Sequence, residues 1–519
     1  MAGYCTAVDT TAHFRRAALN SLVLAAASTV LTVSLALALA YGLNARALSR
    51  PGLTRAVLLL PLVAPPVLMA TTTLMLFGRR GLITSELLDR TLGLIDADHV
   101  NIYGPAGILI AQALAFLPAA LIVLDNGFRG ADARLSEAAS GLGASYAAVL
   151  GRVVLPLGYP ALKRAIVLVF IFSLTDFSNP MLLGGGFPVL AEVIYDQIIA
   201  YRNMQLAAAI CVILLIPPLL LYVVLELAGG RRGFVAAGVA STDRPPVPAA
   251  VRRVLGAIAV TIGIAVLMVY ATLVLGAFTR IWGVDWGLTL AHFRPGSTAA
   301  GSGLREVGDS LRLALVAAPV GGVLAVLIAY VVERLRPPGA NIIFLITLLP
   351  AILPGIVFGI GYILAFNAPF GLRSLSLSGG FAILVLNVVF GNLFVGVLAG
   401  RAALQRLDRS VDEAAEGLGA GLGARLWLVV LPLLRVPLML GALYVFIDAL
   451  TTLSSVIFLV SGDYKLAAIS IFNDANSSDF GPAAAKSVAL LVLALAAMAA
   501  LSAIERRTAI RPRQERIIS

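Results

Sequence analysis

"EAASGLGASYAAVLGRVVLPL", Glu137 to Leu157, interrupts a chain that is otherwise mostly hydrocarbon, and "EAAEGLGAGLGARLWLVVLPL" repeats it at Glu413 to Leu433. Both copies keep Glu-Ala-Ala, a glycine six residues after the Glu, and Leu-Pro at the end. Within the first, Leu135, Ala138, Leu142, Tyr146, Val149 and Val153 recur at three- and four-residue spacing, which predicts an amphipathic helix with one apolar stripe. Val411, Ala415, Leu418, Leu422, Leu426 and Val429 do the same in the second. A Gly-x-Gly at 141–143 and at 417–419 would cost about 1 kcal/mol per glycine inside a helix. The spacing therefore predicts a bend there between a short helix and the next one. Pro156 and Pro432 are expected to mark the turn into the following span. A single copy could be an amphipathic helix lying on lipid, but a spacing held twice argues for a shared task.

The surroundings fix the class. Of 519 residues 60% are hydrophobic and 13% charged, about half the charged share of a soluble domain. Apolar runs near 20 residues recur without alternation, so the chain is expected to be all-α and polytopic rather than a membrane barrel. The net charge of +11 then speaks of loop topology rather than nucleic acid. Cys5 and Cys211 stand far apart, and His13, His99 and His292 are scattered, which offers no metal or haem pattern. No cleavable signal peptide is evident, because the first apolar run is long enough to span.

Eleven spans are read, near 17–43, 55–78, 104–125, 158–178, 205–228, 251–276, 310–332, 341–366, 380–400, 433–458 and 484–504. Arginine clusters such as Arg231/Arg232, Arg252/Arg253 and Arg506/Arg507 share the side of Glu137 and Glu413. The positive-inside bias thus puts the N-terminus outside and the C-terminus in the cytoplasm. The chain also repeats itself. Asn20-Ser21, Ala40-Tyr41, Pro61 and Pro65 recur 289 residues later as Asp309-Ser310, Ala329-Tyr330, Pro350 and Pro354, whereas Asp132, Glu137, Gly143 and Pro156 recur after 276. Two five-span repeats are expected, 1–230 with its loop at 131–156 and 310–505 with its loop at 407–432. Between them lie a cytoplasmic linker and extra span at 231–276 and an extracytoplasmic loop at 277–309; a basic cytoplasmic tail, 506–519, ends the chain. Five spans are odd, so the sixth keeps both repeats parallel rather than inverted.

The pattern Glu-Ala-Ala-x3-Gly-x11-Leu-Pro resembles the EAA loop of ABC importer permeases of the first, MetI-like structural type. The resemblance covers both repeats. It implies that Glu137, Ala138, Ala139 and Gly143, with Glu413, Ala414, Ala415 and Gly419, form two coupling elements that dock on ATPase subunits. It further implies two copies of a cytoplasmic ABC ATPase, one extracytoplasmic solute-binding protein and a prokaryotic inner-membrane location. The stretch "SLTDFSNPMLLGG", followed by "VLAEVIY", looks like fused ferric-iron permeases and their relatives for 2-aminoethylphosphonate, thiamine, polyamines or hexose phosphates. The chain has no Gly-Lys dipeptide and hence no P-loop, so no cofactor is expected in it and ATP would be bound by the partners.

Ionisable groups inside a span are candidate path residues, since each costs about 3 kcal/mol at its centre. Asp448 in "YVFIDALTTLSS" and Asp176 in "FSLTDFSNP" stand out, with Ser173, Asn179, Thr451, Thr452 and Ser455 around them. The competing expectation is that they bond neighbouring helices, as Asn387 and Asn392 are expected to do. Two other classes are weighed. A secondary transporter would need an embedded carboxylate relay instead of repeated loops, and a membrane enzyme would need a nucleophile–base or metal constellation.

Overall fold

A computed structural model describes residues 2–45, 47–48, 50–129, 133–228, 247–294, 304–351, 353–367, 376–461 and 464–508. Most of the expected linker, 229–246, and the tail from 509 onward lie outside the described residues, as does Asp132. Among the described residues eight helices are long and apolar enough to cross a membrane, or eleven if each of three bent pairs counts as one span. All eleven expected spans are matched, but three are broken.

The breaks have local causes. The expected span 55–78 runs as Pro51–Val63 and Pro66–Thr91, bent by 105°. At the bend Ala64 is extended, at φ −92° and ψ 146°, because a residue before proline is pushed out of the helical region. The counterpart, 341–366, breaks the same way: Pro354 is extended and the helix resumes at Gly355. The expected span 433–458 also breaks, by 79° between Leu422–Leu433 and Arg435–Thr451. Its partner in the first repeat, Tyr146–Thr175, is one continuous helix.

The chain forms two compact units, residues 1–303 with 470–487, and residues 304–469 with 488–519. In the first, helices Ala2–Asn44, Pro105–Arg129 and Leu155–Thr175 pack on one another, and the extra helix Ala249–Phe278 joins them against Ala2–Asn44 and Pro51–Leu59. Their core holds Leu39, Ala40, Leu117, Ala120, Leu121, Ala165 and Val266, all nearly inaccessible. In the second unit, helices Arg305–Tyr330, Phe381–Arg406 and Arg435–Thr451 form the matching trio. Glycine sets their distance: a Cβ on Gly396 would lie 2.6 Å from the Cβ of Ala325 and 3.2 Å from the Cα of Gly441. Small residues at such crossings are how helices gain packing in lipid, where the hydrophobic effect offers none.

The repeated Asn20-Ser21 and Asp309-Ser310 pairs acquire a reason. The Ser21 hydroxyl accepts the first N–H of helix Leu190–Ile199 at 2.8 Å. The Ser310 hydroxyl accepts that of helix Ala467–Asn476 at 2.9 Å. Each serine satisfies an orphan donor at a short helix's start.

Candidate functional site: two exposed loops and two polar clusters

Each repeat presents its Glu-Ala-Ala stretch as a short helix, Ala133–Gly141 and Ser410–Gly417. Beyond it Gly143 and Gly419 both take φ +82°, a conformation that costs an L-residue about 1–2 kcal/mol. The expected bend is therefore present, at the second glycine of each pair. The expected continuous stripe is not. The bend separates Leu135 and Ala138 from Tyr146, and it leaves Leu142 and Leu418 at the tips, each 89% exposed. Pro156 does not turn the chain, whereas after Pro432 the chain bends by 79° at Leu434. A π-helical turn, Leu150–Val154 or Leu426–Val430, precedes each Leu-Pro; the helix runs on through Pro156 to Thr175, but past Pro432 only as far as Leu433. At Pro156 the widened turn accommodates proline's missing N–H and ring bulk without a stop.

Glu137 and Ala139 are half-buried and Ala138 is exposed; Glu413 and Ala414 are exposed, whereas Ala415 is buried. The two loops are held differently. In the second unit Arg334 is nearly inaccessible; its guanidinium donates to the Leu404 and Leu407 carbonyls at 3.1 and 2.7 Å and lies 3.2 Å from the Asp412 carboxylate. Arg425 pairs with Glu416 at 2.8 Å, and Tyr330 faces both Asp412 and Arg425. The equivalent positions in the first unit are Ala45, Ser136, Ser140 and Val149, with no charge among them. There the Tyr41 and Tyr146 hydroxyls share a hydrogen bond of 2.8 Å. So the repeated tyrosine at the end of each unit's first core helix faces the loop in both units.

A second network braces the same ends of the core helices, with its charges inverted. Asp125 accepts from Arg55 at 2.7 Å and Asn44 at 2.7 Å, and pairs with Arg129 at 3.2 Å. The positions matching Asp125, Asn44, Arg55 and Arg129 hold Arg401, Glu333, Phe344 and Gln405. Arg401 donates to Glu333 at 2.8 Å, Gln405 donates to the same carboxylate oxygen at 3.2 Å, and the Arg401 guanidinium lies 4.3 Å over the Phe344 ring.

The embedded polar residues form one connected cluster in the first unit and separate hydrogen-bonded pairs in the second. Asp176 ends helix Leu155–Thr175, and its carboxylate accepts from Gln112 at 2.9 Å, from the Asn179 amide at 2.7 Å and from the backbone N–H groups of Ser178 and Asn179. Ser173 donates to Gln112 at 2.7 Å, and all of these residues are buried. Gln112 carries no repeat or motif signal, and sequence reasoning missed it. Thr452, the position matching Asp176, also ends its helix in extended backbone and shares a 3.0 Å hydrogen bond with Ser455. Asp448 lies three residues before the end of helix Arg435–Thr451, which stops short of the expected span end at 458, and accepts from Asn392 at 2.6 Å. Asn392 thus does bond a neighbouring helix, as expected. Thr451 bonds back to the Ile447 carbonyl at 2.9 Å.

Residues 321–510 match the family described as binding-protein-dependent transport system inner membrane component. The molybdenum transport system permease protein ModB of Mycobacterium tuberculosis is 35% identical over 214 residues, which cover 40% of this chain and 77% of that protein. The chain belongs to this family. As an inner-membrane component of that kind it is also similar to the ferric transport system permease protein FbpB of Actinobacillus pleuropneumoniae, 34% identical over 450 residues and 84% of this chain. A putative ferric transport system permease protein, FbpB 1, of Haemophilus influenzae is 33% identical over 418 residues and 79% of this chain. The chain spans 64% of the length of each of these two ferric relatives. The inner-membrane family and the apolar helices agree on a multi-pass protein.

Proposed function

We propose that the chain is the transmembrane subunit of an ATP-driven, binding-protein-dependent importer whose solute is ferric iron or a related small solute. Two copies of a cytoplasmic ABC ATPase would dock on the two loops, bind the ATP and drive alternating access, while one extracytoplasmic binding protein delivers the solute. The observation that carries this reading is the pair of loop tips. An apolar residue, Leu142 or Leu418, stands 89% exposed beyond a short helix whose end is fixed by a left-handed glycine. A leucine so placed twice suits a partner's groove, where burying it would contribute about 2 kcal/mol. The two ferric relatives support iron as the first choice of cargo.

Glu137, Ala138, Ala139, Gly143, Glu413, Ala414, Ala415 and Gly419 would transmit ATPase closure. The path would pass Ser173, Asp176 and Asn179 in one unit and Asp448, Thr451, Thr452 and Ser455 in the other. The test is purification of a tagged chain from its native membrane, wild type against L142D/L418D, with radiolabelled ferric uptake measured in the same cells. An ABC ATPase that co-purifies with the wild type and is lost from the variant, along with uptake, is the expected result. Full retention of the ATPase by the variant would refute docking at these tips.

A further inference from the structure

The extra helix Ala249–Phe278 packs against helices Ala2–Asn44 and Pro51–Leu59, but not along its whole length. A groove of about 610 Å³ remains beside it, floored by Gly256, Val260, Gly263 and Leu267 and walled by Leu53 and Val57. The groove exists because glycine leaves it open. A Cβ on Gly256 would meet nothing within 4 Å, and one on Gly263 would meet only Val57 at 3.9 Å. Its other lining residues are almost all apolar, except at one end, where Arg252 and Arg253 stand exposed on the first turn of the helix. Neither arginine forms an ion pair among the described residues; Arg253 only bonds back to the Ala249 carbonyl at 3.4 Å.

Depth and side decide what could lie there. From Arg252 to Leu267 the helix rises about 22 Å, enough to run from a headgroup layer past the middle of a hydrocarbon core about 30 Å thick. Two crossings, Tyr146–Thr175 and Met204–Leu225, separate the Glu137 loop from the start of the extra helix, so both lie on the same side. An apolar trough one leaflet deep with two exposed guanidiniums at its mouth is complementary to one anionic phospholipid. The phosphate would sit between the arginines, which offer forked donors to its oxygens, and an acyl chain would lie over the glycines.

We propose that this groove is a binding site for an anionic phospholipid of the leaflet on the Glu137 side, held by Arg252 and Arg253. The proposal is independent of which solute the protein moves.

The test is native mass spectrometry of the purified full-length chain in detergent, titrated with phosphatidylglycerol or phosphatidylcholine of matched acyl chains. The expected result is one phosphatidylglycerol adduct that survives gas-phase activation better than the phosphatidylcholine adduct. Its apparent affinity should fall about tenfold or more in R252Q/R253Q. R79Q/R80Q, which removes the same charge from two other exposed arginines, should leave it unchanged. G256F, which fills the trough and keeps both arginines, should also weaken it, with helix content and melting temperature close to wild type. Equal retention of the two lipids, equal effects of the two arginine pairs, or no effect of G256F would each overturn the proposal. So would glycerol 3-phosphate binding as tightly as the whole lipid, or a second copy of the chain as the adduct.

Discussion

Asp125 and Arg401 occupy the same place in the two repeats with opposite charge, and the energetics of each follow from its neighbours. The Asp125 carboxylate, 11% exposed, serves Arg55, Asn44 and Arg129. Truncating it to alanine strands the half-buried Arg55 guanidinium, and loss of one partner of such a pair costs about 3 kcal/mol. D125A should therefore lower the midpoint of denaturant unfolding in detergent clearly. F344A, which removes only the ring under Arg401, should cost about 1 kcal/mol, because Glu333 still holds that guanidinium. If both variants lose the same stability, the two networks are not organised as described. Asp176 poses a different question, whether it carries solute or only structure. D176A leaves two amides and two backbone N–H groups without their acceptor, at about 3 kcal/mol. D176N keeps the shape and one acceptor oxygen. A path role predicts that D176N cuts uptake severalfold with a melting temperature within a few degrees of wild type. Uptake that tracks stability across both variants would assign Asp176 to packing alone. The carboxylates were legible in the sequence because charge in a hydrophobic run is conspicuous. Gln112 was not, since an uncharged residue with no repeat partner carries no signal until folding sets it 2.9 Å from Asp176.

The element that defines the loops is a short helix closed by a left-handed glycine. Gly143 and Gly419 have open space around a would-be Cβ, so an alanine there meets no clash and pays only for φ +82°, about 1–2 kcal/mol. Gly141 and Gly417 also have open space but lack the positive φ, so alanine there should be neutral or stabilise by up to about 1 kcal/mol. Amide hydrogen exchange of the loop peptides, G143A against G141A, reads the contrast, and equal exchange would contradict it. The second helix has a further brace in Asp408, whose carboxylate accepts the Ser410 N–H at 3.0 Å. That bond, with help from the Ser410 side chain, holds Asp408 below the ordinary aspartate value of 3.8. A carboxyl whose folded value is depressed stabilises fully above its unfolded value and loses that contribution as pH falls through the lower, folded one. Exchange of residues 410–417 should therefore stay constant from pH 7 down to about 5, after correction for intrinsic rates, and accelerate only below about 4. D408N should weaken the brace at neutral pH. The bend was legible because two glycines in a helical pattern are costly. The broken stripe was not, because periodicity counts residues without knowing where the backbone turns, and the π turns before Pro156 and Pro432 leave no mark in composition.

At the scale of the molecule the sequence repeat conceals an asymmetry of construction. Matching spans, the capping serines and the tyrosines facing the loops recur in both units; the internal repeat marked these positions, but their roles emerged only with the fold. The charged pairs that brace the second loop, Arg334–Asp412 and Arg425–Glu416, do not recur at the matching positions of the first, which hold Ala45, Ser136, Ser140 and Val149. Among the described residues the neutral Tyr41–Tyr146 contact stands there instead. Charged and neutral braces respond to different perturbations, so the two loops should loosen independently. In R334A, exchange should accelerate in residues 410–417 and stay unchanged in 133–141, because Ala45 already occupies the matching position in the first unit. In Y146F, which removes the Tyr41–Tyr146 hydrogen bond, only residues 133–141 should respond, and by less, since a neutral hydrogen bond contributes about 1 kcal/mol against about 3 kcal/mol for a buried ionic partner. Raising salt should mimic R334A weakly, because Arg334 is largely screened from solvent. If each loop transmits to its own ATPase, both variants should lower solute-stimulated ATP hydrolysis, R334A more than Y146F, and the double variant should multiply the two effects. Simultaneous loosening of both loops in either single variant would mean that they are mechanically one element, and the separate braces would then carry no functional asymmetry.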